Sequence, residues 1–491
     1  MAGFHIEHFG CRAARADGEA ISARLHAAGQ RAVQQLAQAE VVIVNSCSVT
    51  AEADREARAF IRRAHRQNPE ARIVVTGCYA QRAPEELARM EGVAAVVGNS
   101  HKALAPEIIL NLAHSPVNSS RPVPDSLVSV ESLLAGAAPV WVDDRFAHSF
   151  IEEAQLVPGA QTRPNLKIQE GCGNRCTFCV IPQTRGLSRS LPAARILRQV
   201  EEFVAAGGNE LVLSGINLGR WGRDLENVQD AGSWPPTLSL EERRQDGARG
   251  ADRTAGVVPT LSGLVGAILQ QTELPRLRLS SIEPMDWDHE LIGLMAEFGG
   301  LRLARHAHLP LQSGSDAVLR RMHRRYRPWH YADKIEALLR AAGPELTIGA
   351  DVMVGFPGET DAEFAETLDF VRALPFGYLH LFPFSPRPGT RGWALHAQSP
   401  VAAALVEERI SALRALAAEK MAAHRRRFIG RKLDAITLNS PAALSAKGRT
   451  AALTENFLPV EIGGNLPANR LVCVLITGLT AEAALQGNVT S

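Results

Sequence analysis

The sequence predicts an α/β chain: an N-terminal parallel α/β layer, a central partial (β/α)6 barrel and a small C-terminal β-barrel. Three observations carry this. Short β-branched runs alternate with helical segments over residues 1–112, and alternate again, with six strand candidates, over residues 164–400. Beyond residue 430 only short strand-like runs remain, divided by turn residues.

In the first layer the strands IEHFG, VVIVNS and RIVVTG are separated by a helical stretch to about residue 30 and a charged helix over residues 52–67. Each strand is followed almost at once by a cysteine, Cys11, Cys47 or Cys78. Residues 113–163 lose periodicity and carry Pro116, Pro122, Pro124, Pro139 and Pro158, so they read as a linker. The barrel strands are LKIQ, ELVLSG, RLRLSS, HLPL, GADVMVG and YLHLFPFS, and chemistry in such a barrel collects at the carboxyl ends of the strands. Within it, residues 224–258 form a polar insertion with no periodicity. An alanine-rich connecting helix over 401–429 leads to the tail, 430–491.

A net charge of +1 gives no global signal for a polyanion partner. Local charge differs: Arg320, Arg321, Arg324, Arg325 and Arg327 form one run, and Arg425, Arg426, Arg427, Arg431 and Lys432 another. Either could meet phosphates, and either could be a solvated helix face. No secretory signal opens the chain and no apolar run reaches bilayer length, which points to the cytoplasm and away from a membrane. In that reducing compartment, seven cysteines read as metal ligands or buried small hydrophobes.

The most specific motif is GCGNRCTFC, which sets Cys172, Cys176 and Cys179 directly after a strand. Three thiolates leave one iron of a 4Fe-4S cube without a protein ligand. S-adenosylmethionine can chelate that iron, and electron transfer into its sulfonium yields a deoxyadenosyl radical. A zinc site would need a second CxxC pair, which the chain lacks. Strand ends that could hold S-adenosylmethionine carry Ser214, Gly215 and Asn217, then Ser280, Ser281 and Glu283, then Gln312, Ser313 and Gly314, then Gly355, Pro357 and Gly358.

Cys11, Cys47 and Cys78 follow neighbouring strands of one parallel layer, so they can converge at its carboxyl edge. They could hold a second cluster or be three buried structural thiols. Gly10, Ser46 and Gly77 precede them and leave room for a cube. Cys473, in LVCVLI, reads as core. Asp54, Arg55, Glu56 and Arg58 could reach substrate but read rather as a solvated helix face, and His306 and His308 read as pointing to opposite faces of their strand, unfit to share a metal. No GxSxG, GxxxxGK[ST] or HExxH motif occurs.

FGC, VNSCSVT, VTGCYAQ, GCGNRCTFC, IPQTRG, LVLSGINLG, SSIEP, HLPLQSGSD, VMVGFPGET and FPFSPRPGT stand in the order found in the methylthiotransferase family of radical S-adenosylmethionine enzymes, which the chain resembles outside the linker and insertion. The resemblance implies an auxiliary 4Fe-4S cluster on Cys11, Cys47 and Cys78, a radical 4Fe-4S cluster on Cys172, Cys176 and Cys179, and a C-terminal RNA-binding TRAM domain, to which GRTAALTENFLPV is loosely similar. SCSVTAEADREAR resembles the branch that acts on N6-threonylcarbamoyladenosine beside the tRNA anticodon; other branches act on isopentenyladenosine in tRNA or on an aspartate of a ribosomal protein. The implied chemistry uses one S-adenosylmethionine to methylate a sulfur and another to remove hydrogen from adenine C2. The implied partners are tRNA, a reduced electron donor protein and a sulfur donor. The chain departs from the family pattern at Ala14, where an asparagine is common, and at Leu191, where an arginine is common.

Overall fold

The computed structural model describes residues 3–114, 137–149, 156, 163–225 and 259–490. The chain divides into two compact units. The first comprises Met1–Gln155, Glu170–Ser188 and Ser385–Ala394, the second Leu156–Gln169, Arg189–Phe384 and Leu395–Ser491.

In the first unit, β1 (Gly3–His8), β2 (Arg31–Ala32), β3 (Val41–Ser46), β4 (Arg72–Gly77), β5 (Val93–Gly98) and β6 (Val140–Trp141) form a parallel sheet in the order β2-β1-β3-β4-β5-β6. Side chains alternate across a strand, and both faces of this sheet are covered, so the strands are apolar throughout. Val42 and Val44 pack with Phe60 and Ile61 of the helix Ala51–Gln67. Val41 and Ile43 pack with Ile21 and Leu25 of the helix Arg12–Ala27. The helix Ala51–Gln67 starts where it does because the Thr50 hydroxyl accepts from the Ala53 N–H at 3.2 Å and Glu52 and Asp54 occupy its positive first turn.

Two readings of this region are corrected. Among the described residues the layer has six strands rather than three, and the sixth comes from 113–163, so that stretch is not linker alone. Asp54 is not solvated: it is 4% exposed and salt-bridged. The 224–258 insertion lies outside the described residues, apart from Asp224 and Leu225.

In the second unit, β7 (Asn165–Glu170), β8 (Arg189–Ser190), β9 (Glu210–Gly215) and β10 (Arg276–Leu279) form one sheet in the order β10-β9-β7-β8, although Glu170 itself belongs to the first unit. A second sheet, β11 (His306–His308), β12 (Thr347–Val354) and β13 (Phe376–Pro383), continues the wall through the parallel bridges Leu277↔Leu303 and Ser281↔His308. One face is apolar and buried, with Leu211, Leu213, Leu277, Leu279, Ile348, Ala350 and Val352. The alternate positions, Glu210, Ser214, Arg276, Arg278, His306, His308 and Asp351, make the lining of the open barrel polar. The fourth strand spans only His306–His308, although the Leu309 and Leu311 N–H groups beyond it still donate to the Gly349 and Asp351 carbonyls at 2.9 and 3.1 Å.

The helix Ala403–Arg426 leads to β14 (Lys432–Thr437), β15 (Arg449–Thr454), β16 (Pro459–Gly463), β17 (Leu471–Leu479) and β18 (Leu485–Val489), a closed barrel around Leu433, Ala452, Val460, Ile462, Val474 and Ile476. Cys473 alternates with the buried Val474 and is only partly buried, so it faces away from that core. Phe457, on the turn between β15 and β16, stacks on His306 at 4.2 Å and lies under the Arg278 guanidinium, while Glu455 takes Arg305 at 2.7 Å. The tail thereby closes the amino-terminal end of the strands it meets.

Candidate functional site

β1, β3 and β4 are neighbours in register, with His8 opposite Asn45 and Ser46 opposite Gly77, so the residues just past them gather at one edge. Cys47 follows β3 directly, Cys78 begins the short helix Cys78–Arg82, and Cys11 caps the helix Arg12–Ala27. Cys47 and Cys78 are buried and Cys11 is exposed. Gly10 is required here: its φ is +100°, and a Cβ on it would stand 2.6 Å from the Cys47 sulfur. Burial, then the neighbouring Cys78 and Cys11, push the Cys47 thiol up to about 12. Three thiols crowded at one sheet edge are a donor set suited to a 4Fe-4S cluster, which would take all three as thiolates.

The GCGNRCTFC segment lies in the same unit. Its loop is shaped by Gly171, whose φ is +70° and where a Cβ would overlap the Leu187 carbonyl, and by the Cys172 N–H donating to Gly186 O at 3.0 Å. The Asn174 N–H donates to the Cys172 sulfur at 3.4 Å, and Cys179 N–H to Cys176 O at 3.2 Å.

Arg185 joins the two cysteine groups. It is fully buried six residues after Cys179, and its Nε–H donates to the Cys78 sulfur at 3.2 Å. Its Nη1 reaches Glu170 at 2.5 Å and Asp17 at 3.1 Å. Lys102, also buried, holds Asp17 at 2.6 Å and Glu170 at 3.5 Å. Two cations thus meet two carboxylates with Cys78 beside them. Asn99 adds a second donor to Cys78 at 3.3 Å and holds the Thr184 carbonyl at 2.8 Å. A second buried network sits beside Cys47. There the Ser48 hydroxyl donates to Asp54 at 2.7 Å, and both Arg82 and Arg387 pair with the other carboxylate oxygen.

None of Arg185, Lys102, Glu170, Arg82 or Arg387 was picked out as functional from the sequence. Arg185 and Arg387 lie inside IPQTRG and FPFSPRPGT, where an arginine between turn-forming residues was the only signal. The departure at Ala14 has a structural counterpart: Ala14 is buried, and Asn45 of β3 donates its side-chain N–H to the Ala14 carbonyl at 2.5 Å. Leu191 is buried in the core, with its carbonyl taken by the Trp221 indole.

In the second unit the strand ends carry most of the polar residues expected to hold S-adenosylmethionine. Gln169 accepts from the Asn217 N–H at 2.7 Å and lies 3.0 Å from where a Gly215 Cβ would be. Ser214 and Ser280 are buried on the inner face. Gln312 has a left-handed φ of 65°, held because its N–H donates to Asp351 O and its carbonyl accepts from Met353 N–H. Two of the expected residues also have structural partners. Glu283 is engaged by Arg324 at 2.5 Å, and a Cβ on Gly355 would meet Val406 at 2.5 Å, so that glycine serves helix packing. Pro357 is buried beside it.

The arginine runs divide likewise. Arg324 is 7% exposed, which removes it from phosphate reach, and Arg321 is held by both oxygens of Glu363 at 2.7 Å. Arg425 is half-buried and donates to Ala483 O at 2.5 Å. Arg320, Arg325, Arg426, Arg427 and Arg431 are exposed. His306 and His308, two residues apart on a strand, share a face as a period of two requires, and both meet the Tyr378 hydroxyl, at 2.8 and 2.9 Å. The reading that set them on opposite faces is wrong.

Residues 3–98 match the uncharacterized protein family UPF0004 and residues 166–371 the radical SAM superfamily. The chain is 32% identical to the threonylcarbamoyladenosine tRNA methylthiotransferase MtaB of Bacillus subtilis, over 94% of this chain and 91% of that protein. It is 31% identical to the protein of that name from Aquifex aeolicus, over 96% and 99%. It is also 31% identical to a tRNA-2-methylthio-N(6)-dimethylallyladenosine synthase of a Parafrankia species, over 98% and 85%. Among solved structures it is similar in fold to the radical S-adenosylmethionine methyltransferase TsrM of Kitasatospora setae, with a TM-score of 0.51 at 14% identity over 78% of this chain and 75% of that one. Full-length similarity at this level, on a chain whose two cysteine trios share one unit, carries the conclusion that the chain belongs to the radical S-adenosylmethionine methylthiotransferase family.

Proposed function

We propose that the protein transfers a methylthio group to C2 of N6-threonylcarbamoyladenosine in tRNA, with 4Fe-4S clusters on Cys172, Cys176 and Cys179 and on Cys11, Cys47 and Cys78. The observation that carries it is Arg185, which ties the loop of one cysteine trio to a ligand of the other. The bound clusters and S-adenosylmethionine would supply the one-electron chemistry that activates an aromatic C–H, whose proton no side-chain base removes readily. The chain's own part is placement. Asn99 and Arg185 orient Cys78, the Asp17–Lys102–Glu170 network fixes Arg185, and the inner strand ends at Ser214, Asn217, Ser280 and Gln312 offer polar groups to S-adenosylmethionine.

The domain reading that goes with this function is a cluster-bearing layer over 1–112, a radical domain over 164–400 and an RNA-binding barrel over 430–491. The exposed Arg320, Arg325, Arg426, Arg427 and Arg431 are suited to the tRNA backbone. Activity requires a reduced electron donor and a sulfur donor, in the cytoplasm where tRNA is modified. Among the described residues no helix is long and apolar enough to cross a membrane. The test is nucleoside mass spectrometry of tRNA from a deletion strain: loss of the methylthio form of threonylcarbamoyladenosine supports the reading, and its persistence with loss of methylthio-isopentenyladenosine refutes it.

A further inference from the structure

The inner face of β11, β12 and β13 carries a polar cluster outside the residues expected to hold S-adenosylmethionine. Asp351 projects from the middle of β12; one carboxylate oxygen meets His308 Nε2 at 3.1 Å and the other meets His380 Nδ1 at 3.2 Å. The other nitrogen of His308 is held by the Tyr378 hydroxyl, and the Tyr378 ring fits because position 349 is glycine, where a Cβ would overlap it. The three rings and the carboxylate are therefore fixed in direction before any ligand arrives. Exposure grades outward: the side chain of His308 is 9% exposed, Asp351 25% and His380, on the edge strand, 62%. The Asp351 carbonyl accepts from Gln312 N–H at 2.7 Å, so the cluster lies one step below the strand ends suited to S-adenosylmethionine. Burial alone would raise the Asp351 carboxyl, but the two histidines outweigh it and hold it well below the usual range, so it stays ionised.

Similarity favours the threonylcarbamoyladenosine enzymes, although a relative named for dimethylallyladenosine stands at about the same identity, and similarity does not say which residues make the choice. The cluster does. A dimethylallyl group is hydrocarbon, and seating it against an ionised carboxylate strips water from the charge with nothing in return. A threonylcarbamoyl group brings a hydroxyl and N–H donors for Asp351 and a carboxylate for an imidazole N–H. His380 can serve that carboxylate as an imidazolium, its Nδ1–H donated to Asp351 and its Nε2–H offered from an exposed edge. A site built to hydrogen-bond a substituent rejects the analogue that cannot do so far more strongly than an apolar slot rejects an added hydroxyl. We propose that Asp351 and His380, with His308 orienting the carboxylate, form the subsite that receives the hydrophilic N6 substituent, and so favour threonylcarbamoyladenosine over isopentenyladenosine. This rests on the reading that the substrate is an N6-modified adenosine in tRNA.

The test is equilibrium binding of the cluster-loaded enzyme to anticodon stem-loops that differ at one adenosine: threonylcarbamoylated, isopentenylated or unmodified. The wild type is expected to prefer the threonylcarbamoyl form over the unmodified one by about tenfold or more, the scale of a charge-assisted hydrogen bond. In Asp351→Asn and in His380→Leu that ratio is expected to fall towards one. The ratio is the readout because misfolding lowers both affinities together, and His380 on its exposed edge provides a variant that does not disturb the core. An unchanged ratio in folded variants overturns the subsite. So does a preference that appears only with added divalent cation, since the three ligand atoms lie within 4.8 Å of one another and a bound ion would then be the receptor. If the wild type binds and methylthiolates only the isopentenyl form, the functional reading itself fails. If it methylthiolates the threonylcarbamoyl form while both variants keep the ratio, only the subsite fails.

Discussion

Replacing Arg185 by methionine keeps most of the side-chain volume and removes the charge. The guanidinium serves three acceptors, Cys78, Glu170 and Asp17, at zero exposure. After the change Lys102 alone faces two buried carboxylates, one at 2.6 Å and the other only at 3.5 Å. Removing one partner of a buried charge network costs about 3 to 5 kcal/mol, because the remaining charge keeps its desolvation penalty. For a unit of this size that corresponds to a fall in Tm of roughly 6 to 20 °C. Arg185→Lys restores the charge without the planar fork and is expected to recover part of the loss, since ammonium cannot serve three acceptors in the same geometry. The assay is anaerobic thermal denaturation of cluster-loaded and cluster-free protein side by side. The cluster-free arm separates the network from the cluster, because Asp17, Lys102 and Glu170 remain paired through Arg185 whether or not iron is bound. A shift below about 2 °C in Arg185→Met, or equal shifts in both variants, would refute the argument that this arginine neutralises the network.

Other expectations test separate parts. Cys47→Ala is expected to retain about four irons and to cleave S-adenosylmethionine without forming methylthio product, whereas Cys176→Ala releases no deoxyadenosine; methylthio product from folded Cys47→Ala at a normal rate would make the N-terminal cysteines structural. His424 is 5% exposed and bonded to Thr347, and burial, then Arg427 and Arg425, lower its pKa from 6.5 to about 4. The unfolded chain therefore takes up this proton first, so the stability His424 contributes is complete above pH 6.5 and is lost as pH falls towards 4, by roughly 3 kcal/mol. His424→Asn should flatten the dependence of Tm on pH across that window, and an unaltered slope would assign the acid sensitivity elsewhere. Neutralising Arg320, Arg325 and Arg426 together is expected to weaken tRNA binding and to lower its salt slope by about one for each phosphate that an arginine no longer reaches. Unchanged affinity in folded protein would make these a solvated face.

Much of the architecture was legible because it rests on short-range pattern. Apolar runs marked β1, β3, β4 and the barrel strands, and the order of strands put Cys11, Cys47 and Cys78 at one edge. The sixth strand, Val140–Trp141, was hidden because two residues in a proline-bearing stretch carry no period. The charges were misread for a related reason. Sequence shows that Asp54 lies on a charged helix, but not that Arg82 and Arg387, the latter over three hundred residues away, converge on it and draw it under the surface. The same holds for Arg321 and Arg324, whose partners Glu363 and Glu283 are remote in sequence.

Where a buried charge is matched by a distant one, composition and spacing report only half of the pair, and the half that is visible resembles a surface charge. His306 and His308 failed differently, since the period of two was available and was misapplied. Once both are set on the inner face, the lining of β11 to β13 becomes His306, Tyr378, His308, Asp351 and His380, joined by hydrogen bonds from the Phe457 end to the open edge. An apolar lining would have fitted an isopentenyl substrate. A continuous polar one needs a ligand able to answer it, so the choice of substrate is written in the strand interior rather than in the cysteine motifs that mark the family.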